Sequence, residues 1–289
     1  MTDRLTPVGQ PLLTKPVSAK LAATPWGFFL SIAVLLFFVV AAVFPAALAT
    51  HDPYAMDFAN ALHPPSFTFW FGTDESGRDL YSRVIYGTRE SLLIGVGATA
   101  VSLTLALVLG SVAALSGRFA SAAVNRVIEV LFAFPTLLLA LLLVAVIGPS
   151  ALSQVVAVGV GTAPGYARII RGQILKAKDS GYVEAAVALG HPRAWILRNH
   201  VLPNALRPLV AIFALSVGQS IVWASSLSFL GLGVAPPSPE WGALLDAGKQ
   251  YITQAGWLTV LPGLVIVVLA LAATTLGKHI QNILEKDEK

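Results

Sequence analysis

The sequence contains no cysteine, and only 12% of its 289 residues are charged. Without thiols there is no disulfide framework, no thiolate metal site and no cysteine nucleophile. A soluble domain carries about 25% charged residues, so this chain has roughly half the charge that a water-facing surface needs. A disordered chain, a collagen-like chain and an ordinary cytosolic enzyme are excluded on that ground. A phosphate-binding loop is missing as well. Gly248-Lys249 and Gly277-Lys278 lack both the upstream glycine and the following Ser or Thr of GxxxxGK[ST], so the chain is not expected to hydrolyse ATP by itself. There is no HExxH, and the histidines at His51, His63, His191, His200 and His279 show no metal-ligand spacing. His51 and His63 read as solvated loop residues.

What is abundant is apolar residue. Hydrophobic residues make up 56%, and mean hydropathy is +0.75. A membrane helix needs about 20 mostly apolar residues, and six runs qualify: about Trp26–Leu48, Ser91–Leu115, Val127–Ile147, Leu152–Ala167, Pro208–Leu230 and Trp257–Leu276. The fourth is short and interrupted by Gly159, Gly161, Pro164 and Gly165. The first is longer than the 7–15-residue core of a signal peptide. Trp26, Trp70, Trp241 and Trp257 lie near span ends, where indole anchors sit at the headgroup level. The expected fold is therefore all-α and polytopic, with residues 1–25 as an N-terminal tail and 26–289 as a six-helix transmembrane domain.

Six spans put both termini on one side. With that side cytoplasmic, fifteen of the nineteen basic residues fall inside, and only Arg78, Arg83, Arg89 and Lys249 fall outside. Seven of the fifteen lie in one loop, residues 168–207. This asymmetry is the positive-inside signal, and it explains the net charge of +4 without nucleic acid. No strongly charged residue falls in mid-span, which disfavours a proton-coupled carrier. No acid, base or metal constellation sits in the spans to support an intramembrane enzyme.

The 168–207 loop is longer than a plain connection. Ala167–Leu189 has an amphipathic helical pattern with a soft spot at Gly181. Gly190 suits the end of that helix and Pro192 the start of another, which Leu202-Pro203 then stops. The order Glu184-Ala185-Ala186, three residues, Gly190, nine residues, His200-Val201-Leu202-Pro203 resembles the EAA loop of the membrane subunits of ATP-binding-cassette importers, with His200 in place of the usual Ile. That resemblance implies a coupling knob for a soluble ATPase. Glu184 would cap or pair before the turn, and Gly190 would allow the reversal.

A second stretch narrows the likeness. Gly72-Thr73-Asp74, Gly77-Arg78-Asp79 and Ser82-Arg83 resemble the GTDxxGRDxxSR signature of the "C" permeases in dipeptide, oligopeptide and nickel importers. Pro164-Gly165-Tyr166-Ala167-Arg168 and Ser226–Gly233 with Trp241-Gly242 fit the same family. The sequence departs from it at the C-terminus, at Ala163 (often Trp) and at Ala224 (often acidic). The family implies a type I importer permease fold in a bacterial plasma (inner) membrane. It also implies a homologous second permease, two cytoplasmic ATPases that bind ATP and Mg, and an extracytoplasmic binding protein. This chain itself would hold no cofactor. Peptide is the default cargo, with nickel or a metal chelate as the alternative. A self-sufficient channel or secondary carrier is the reading from another class.

Two further features carry expectations. The outer loop, about residues 51–89, is expected to hold an interfacial helix with an Asp79–Arg83 pair at i,i+4, worth about 0.3–0.5 kcal/mol. As a whole the loop would dock a binding protein or form part of an outer gate. In span five, Ser216, Gln219, Ser220, Trp223 and Ser226 recur at three- and four-residue spacing, as pathway lining or as polar glue between helices.

Overall fold

A computed structural model describes residues 25–286, so the expected tail lies, but for Pro25, outside the described residues. The main helices are α1 (Pro25–Val43), α2 (Leu80–Leu115), α3 (Arg118–Ala133), α4 (Thr136–Ile147), α5 (Ala151–Lys178), α6 (Gly181–Ala188), α7 (Leu209–Leu227), α8 (Trp241–Gly248) and α9 (Trp257–Lys286), with a long, mostly irregular loop over residues 44–79 and short helical turns elsewhere. The β structure among the described residues is one isolated bridge, Thr73 to Asp79. α1, α2, α7 with its extension to Leu232, and α9 are long and apolar enough to cross a membrane, and α3 with α4 would make a fifth crossing if their 93° bend lies within one span. This is an all-α polytopic membrane fold.

Several sequence expectations are corrected. The first run ends at Val43, and Pro45–Leu48 forms a separate turn, because the residue before a proline is steered out of helical geometry. The second span starts at Leu80, not Ser91, so residues 80–89 are the first turns of α2 and not a separate interfacial helix. The third span is broken at Phe134-Pro135 for the same reason as the first. The fourth, expected to be short and interrupted, is one unbroken helix that passes through Pro164 and continues to Lys178, well into the expected 168–207 loop. Leu202-Pro203 do not stop the helix before span five. A π turn over Leu197–Val201 precedes Pro203, and the chain runs on through Leu202–Leu206 towards α7.

α5 is less apolar than the other long helices because it does not need to meet lipid all round. It carries Gln154, Thr162 and Tyr166, yet Ala157, Val158, Ala163, Ala167 and Ile170 are buried against neighbouring helices. Its most extensive contact is with α2, along small residues on both helices: Ala98, Ser102 and Ala106 on α2 are all fully buried. Close approach replaces hydrophobic driving force between helices in lipid. A methyl group at Gly159 would sit 2.6 Å from Val101 Cγ1 and 3.0 Å from the Ala98 carbonyl oxygen. The Thr162 hydroxyl lies 2.8 Å from Ser102 Oγ, and Thr99 Oγ1 donates to Ser220 Oγ of α7 at 3.1 Å.

The helix ends sort themselves by contact. Phe28 of α1 stacks on His279 of α9 at 4.4 Å, and Gly277 packs on Leu215 near the start of α7. The end of α2 and the last turns of α5 share a buried cluster with α6. Both described ends of the chain therefore lie at the α6 end of the bundle, and α8 closes the opposite end.

At the α8 end a polar node ties four helices together. Trp241 is fully buried. Its indole Nε1–H donates to the Val84 carbonyl at 2.9 Å, so it is a core residue and not the headgroup anchor expected from its position; Trp26 and Trp70 are exposed. Glu240 is 1% exposed and caps α8, accepting from the Gly242 and Ala243 N–H groups at 2.8 Å each. It also accepts from Ser228 Oγ at 2.9 Å, and Gln154 Nε2 of α5 donates to that same Ser228 oxygen at 2.6 Å. Burial pushes the Glu240 carboxyl above its ordinary range, while the bonds from Gly242, Ser228 and Ala243 oppose that rise. Glu240→Ala should leave two buried N–H donors unpaired. At about 1–3 kcal/mol for each unsatisfied group, the purified chain in detergent should melt several degrees lower, read as a shift in thermal denaturation.

Candidate functional site

The signature residues of the outer loop form a folded frame. Gly72, Thr73, Asp74, Gly77, Arg78, Asp79, Ser82 and Arg83 are all buried. Asp74 Oδ1 accepts the Ser76 and Arg78 N–H groups at 2.9 and 3.0 Å, and Oδ2 accepts Arg78 Nε–H at 2.7 Å. Arg78 also reaches Glu75 at 3.0 Å. Thr73 Oγ1 donates to the Asn60 carbonyl at 2.5 Å and accepts from His63 N–H at 2.8 Å. Gly77 has φ +75°, and a methyl there would lie 1.7 Å from the Asp57 carbonyl oxygen, so the tight turn requires glycine.

The expected Asp79–Arg83 pair is not the contact made. Asp79 caps α2, accepting from Ser82 N–H at 2.9 Å, Ser82 Oγ at 2.6 Å and Thr50 Oγ1 at 3.1 Å. Arg83 instead pairs with Asp74 at 3.5 Å and donates to the carbonyls of Pro53 (3.3 Å), Pro237 (3.4 Å) and Ser238 (3.5 Å). An aspartate before the first turn of a helix is already committed to the free N–H groups there, which leaves Arg83 to bind elsewhere. Arg83 thereby fastens the outer loop to the segment that leads into Glu240 and Trp241. What this frame presents to the outside is aromatic: Phe58, Phe67 and Trp70 are exposed.

The EAA stretch folds as a knob at the opposite end. On α6, Val183 and Ala186 face inward and pack with Ile196, Val201 and Ala205 onto Ile170, Ile174 and Ala177 of α5. Glu184 and Ala185 face out, and the Glu184 carboxylate is exposed. Leu189 ends α6, and Gly190 takes φ +78°. Gly190 N–H donates to the Val187 carbonyl at 3.0 Å and His191 N–H to the Ala186 carbonyl at 3.2 Å, the paired bonds of a Schellman cap. Beyond the cap, His191 stacks on Trp195 at 3.9 Å, and Trp195 meets His200 edge to face at 5.1 Å. Tyr182, Val187, Leu189 and Trp195 leave an apolar outer surface. Leu202 is partly buried and Pro203 exposed, within the short helix that follows the π turn.

Between the α3–α4 bend, α5 and α7 lies a cavity of about 530 Å³. The polar positions of α7 divide around it. Gln219 and Trp223 line it, together with Thr136, Thr162, Tyr166 and Arg168. Ser226 lines a separate, apolar cavity of about 450 Å³ with Phe229 and Gly263. Ser216 and Ser220 are buried in helix packing: Ser216 Oγ returns to the Ile212 carbonyl at 2.6 Å, and Ser220 meets Thr99. A single stripe was expected because residues three and four apart share a helix face. Gln219 and Ser226, seven residues apart, still share a face but sit about two turns apart along α7, where different neighbours make separate cavities. Ala163 and Ala224 are likewise buried.

Sequence reasoning gave no role to Glu240 or to the bend at Pro135. A helix-capping acid before Trp241 and a proline inside an apolar run were the available signals.

The comparisons agree with this geometry. Residues 106–287 match the family described as "Binding-protein-dependent transport system inner membrane component". The chain is 36% identical over 255 residues to the probable D,D-dipeptide transport system permease protein DdpC of Escherichia coli (strain K12), covering 88% of this chain and 86% of that one. It is 38% identical over 229 residues to the glutathione transport system permease protein GsiD of Pectobacterium atrosepticum, covering 79% and 76%. Among solved structures, an amino acid ABC transporter superposes with a TM-score of 0.59 at 19% identity, over 72% of this chain and 94% of that chain. The MetNI methionine ABC transporter in an inward-facing conformation gives 0.53 at 18%, over 68% and 96%. A buried-frame outer loop, a capped knob at the far end and a groove between them thus come with a shared sequence and fold: the chain belongs to the family of binding-protein-dependent transport system inner membrane components, and is a multi-pass permease subunit of an ABC importer.

Proposed function

We propose that this chain forms half of the translocation pathway of an ATP-driven importer of short peptides, and that the knob at 184–203 is its coupling site for an ATPase. The observation that carries the coupling assignment is the two-faced construction of α6. Its inner face is packed into the ends of α2 and α5, while its outer face is exposed, with Tyr182 and Val187 beside the Glu184 carboxylate. A push on the knob would therefore move those helices as one body. Two ATPases need two knobs, which supports pairing with a homologous permease. Relatives that are more than a third identical to this chain over the aligned residues are named for D,D-dipeptide and glutathione transport, which favours a peptide cargo delivered by a binding protein.

The topology we assign is six crossings with both termini cytoplasmic. α3–α4 and α5 supply the two crossings that composition alone does not declare, and both described ends of the chain sit beside the knob. In the cycle, ATP binding closes the two ATPases, the knobs shift, and the end bearing α8 opens to a docked binding protein. Exposed Phe58, Phe67 and Trp70 on the loop frame would meet that protein or the headgroup layer.

Liposomes holding this chain, its partner permease and both ATPases should take up dipeptide only with ATP and binding protein. Uptake by this chain alone, without ATP, would establish a channel or carrier instead. Gly190→Pro can adopt neither φ +78° nor the bond from residue 190 to Val187, so the assembled complex should lose ATP-coupled uptake. Gly190→Ala, at about 1–2 kcal/mol for a left-handed residue, should retain a measurable fraction. Wild-type uptake by an assembled Gly190→Pro complex would refute the coupling assignment.

A further inference from the structure

We propose that the cavity at the α3–α4 bend contains a carboxylate-binding subsite, built on Arg168, Gln219 and Trp223, that takes the C-terminal carboxylate of a peptide in transit. The inference rests on the peptide-import reading above and adds to it the chemistry of recognition within this chain.

Arg168 is the one charged residue among those lining the cavity; no carboxylate and no imidazole lines it. Its guanidinium carbon lies 3.9 Å from the centre of the Phe132 ring, over its face, a cation–π contact that leaves the N–H edge of the guanidinium unspent. The other donors are also uncommitted. The Trp223 indole nitrogen is buried from solvent and has no hydrogen-bond partner, although buried polar groups are nearly always paired. Tyr166 donates its hydroxyl to Gln219 Oε1 at 3.2 Å, which occupies the acceptor of that amide and leaves its NH₂ as a donor. Three donor groups, one of them cationic, with no anionic group among the lining residues, suit an anion. A planar guanidinium fork matches a carboxylate in two bonds. A bare divalent cation would meet a like charge and only neutral oxygen ligands, with no carboxylate or imidazole, so the same lining disfavours free nickel as the cargo. The volume, about 530 Å³, falls within the range of about 300–1,000 Å³ for small-molecule sites.

The test uses the whole transporter in liposomes with its binding protein, and alanyl-alanine as probe. Arg168→Gln should lower uptake at least tenfold, chiefly through a raised half-saturation concentration. Arg168→Lys should recover much of that loss, and Trp223→Phe, which keeps a ring but loses the N–H, should lower uptake about threefold. The alanyl-alanine C-terminal amide should show less than a twofold dependence on residue 168. Co-purification of all subunits at wild-type stoichiometry checks assembly. Arg168→Gln uptake within twofold of wild type, equal losses for acid and amide, or loss of assembly together with uptake would each overturn the subsite. A wild-type transporter that moves neither peptide would overturn the peptide reading itself, which is a separate result.

Discussion

The close approach of α5 to α2 is the constraint on which the remaining structure depends. Inside a bilayer, helices gain nothing from hiding apolar surface from one another, and association relies on packing and on polar contacts. α5 is too polar to face lipid on all sides, so it has to be surrounded. Glycine and alanine let α2 approach one side of it, α7 meets it near Gln154, and the α3–α4 pair covers another part. The bend that Pro135 imposes fits this arrangement: it leaves a groove lined by Tyr166 and Arg168 of α5.

From that contact the two ends of the molecule acquire different characters. At the α8 end, buried polar groups are tied together by hydrogen bonds, although Gln154 Oε1 and Asp79 Oδ1 have no partner. Glu240 is held by two backbone N–H groups and a serine, and Arg83 bridges two loops through their carbonyl oxygens. Such networks fix one arrangement when satisfied, because breaking a single bond strands its partner. At the α6 end, the inner face is aliphatic and the outer face carries indole, imidazole and exposed aliphatic groups. One end is a frame tied by hydrogen bonds, and the other is a knob with an exposed outer surface.

Much of this was legible in the residues. The apolar runs located α7 and the starts of α1 and α9 to within a few residues, although α9 runs on to Lys286, and the EAA spacing fell on the knob. Gly190 was read as a reversal and takes a left-handed conformation, since only that geometry closes the cap. The signature loop was legible as a unit but not in its wiring. Asp79 and Arg83 stand at ion-pair spacing on a helix, yet Asp79 is used as a cap and Arg83 binds Asp74 and distant carbonyls. Sequence spacing reports who can be neighbours on one helix and is silent about loops that arrive from 150 residues away. The α5 interruption was misread because glycine and proline weaken a helix in water, whereas here neighbouring helices hold α5 together and the glycines are where they touch it.

The sequence by itself determined that this is a membrane chain, that its basic residues gather in one loop, and that a glycine-capped knob interrupts its long helices. Those properties are local or additive: hydropathy sums along a run, charge sums within a loop, and a cap needs only its own few residues. Only the tertiary structure decided that Trp241 is core, that Ser216 and Ser220 turn away from the groove, and that Arg168, Gln219 and Trp223 share it. Each of those outcomes depends on which faces of separate helices meet, and that is set by the fit of small residues across the interfaces, which no single stretch of sequence encodes.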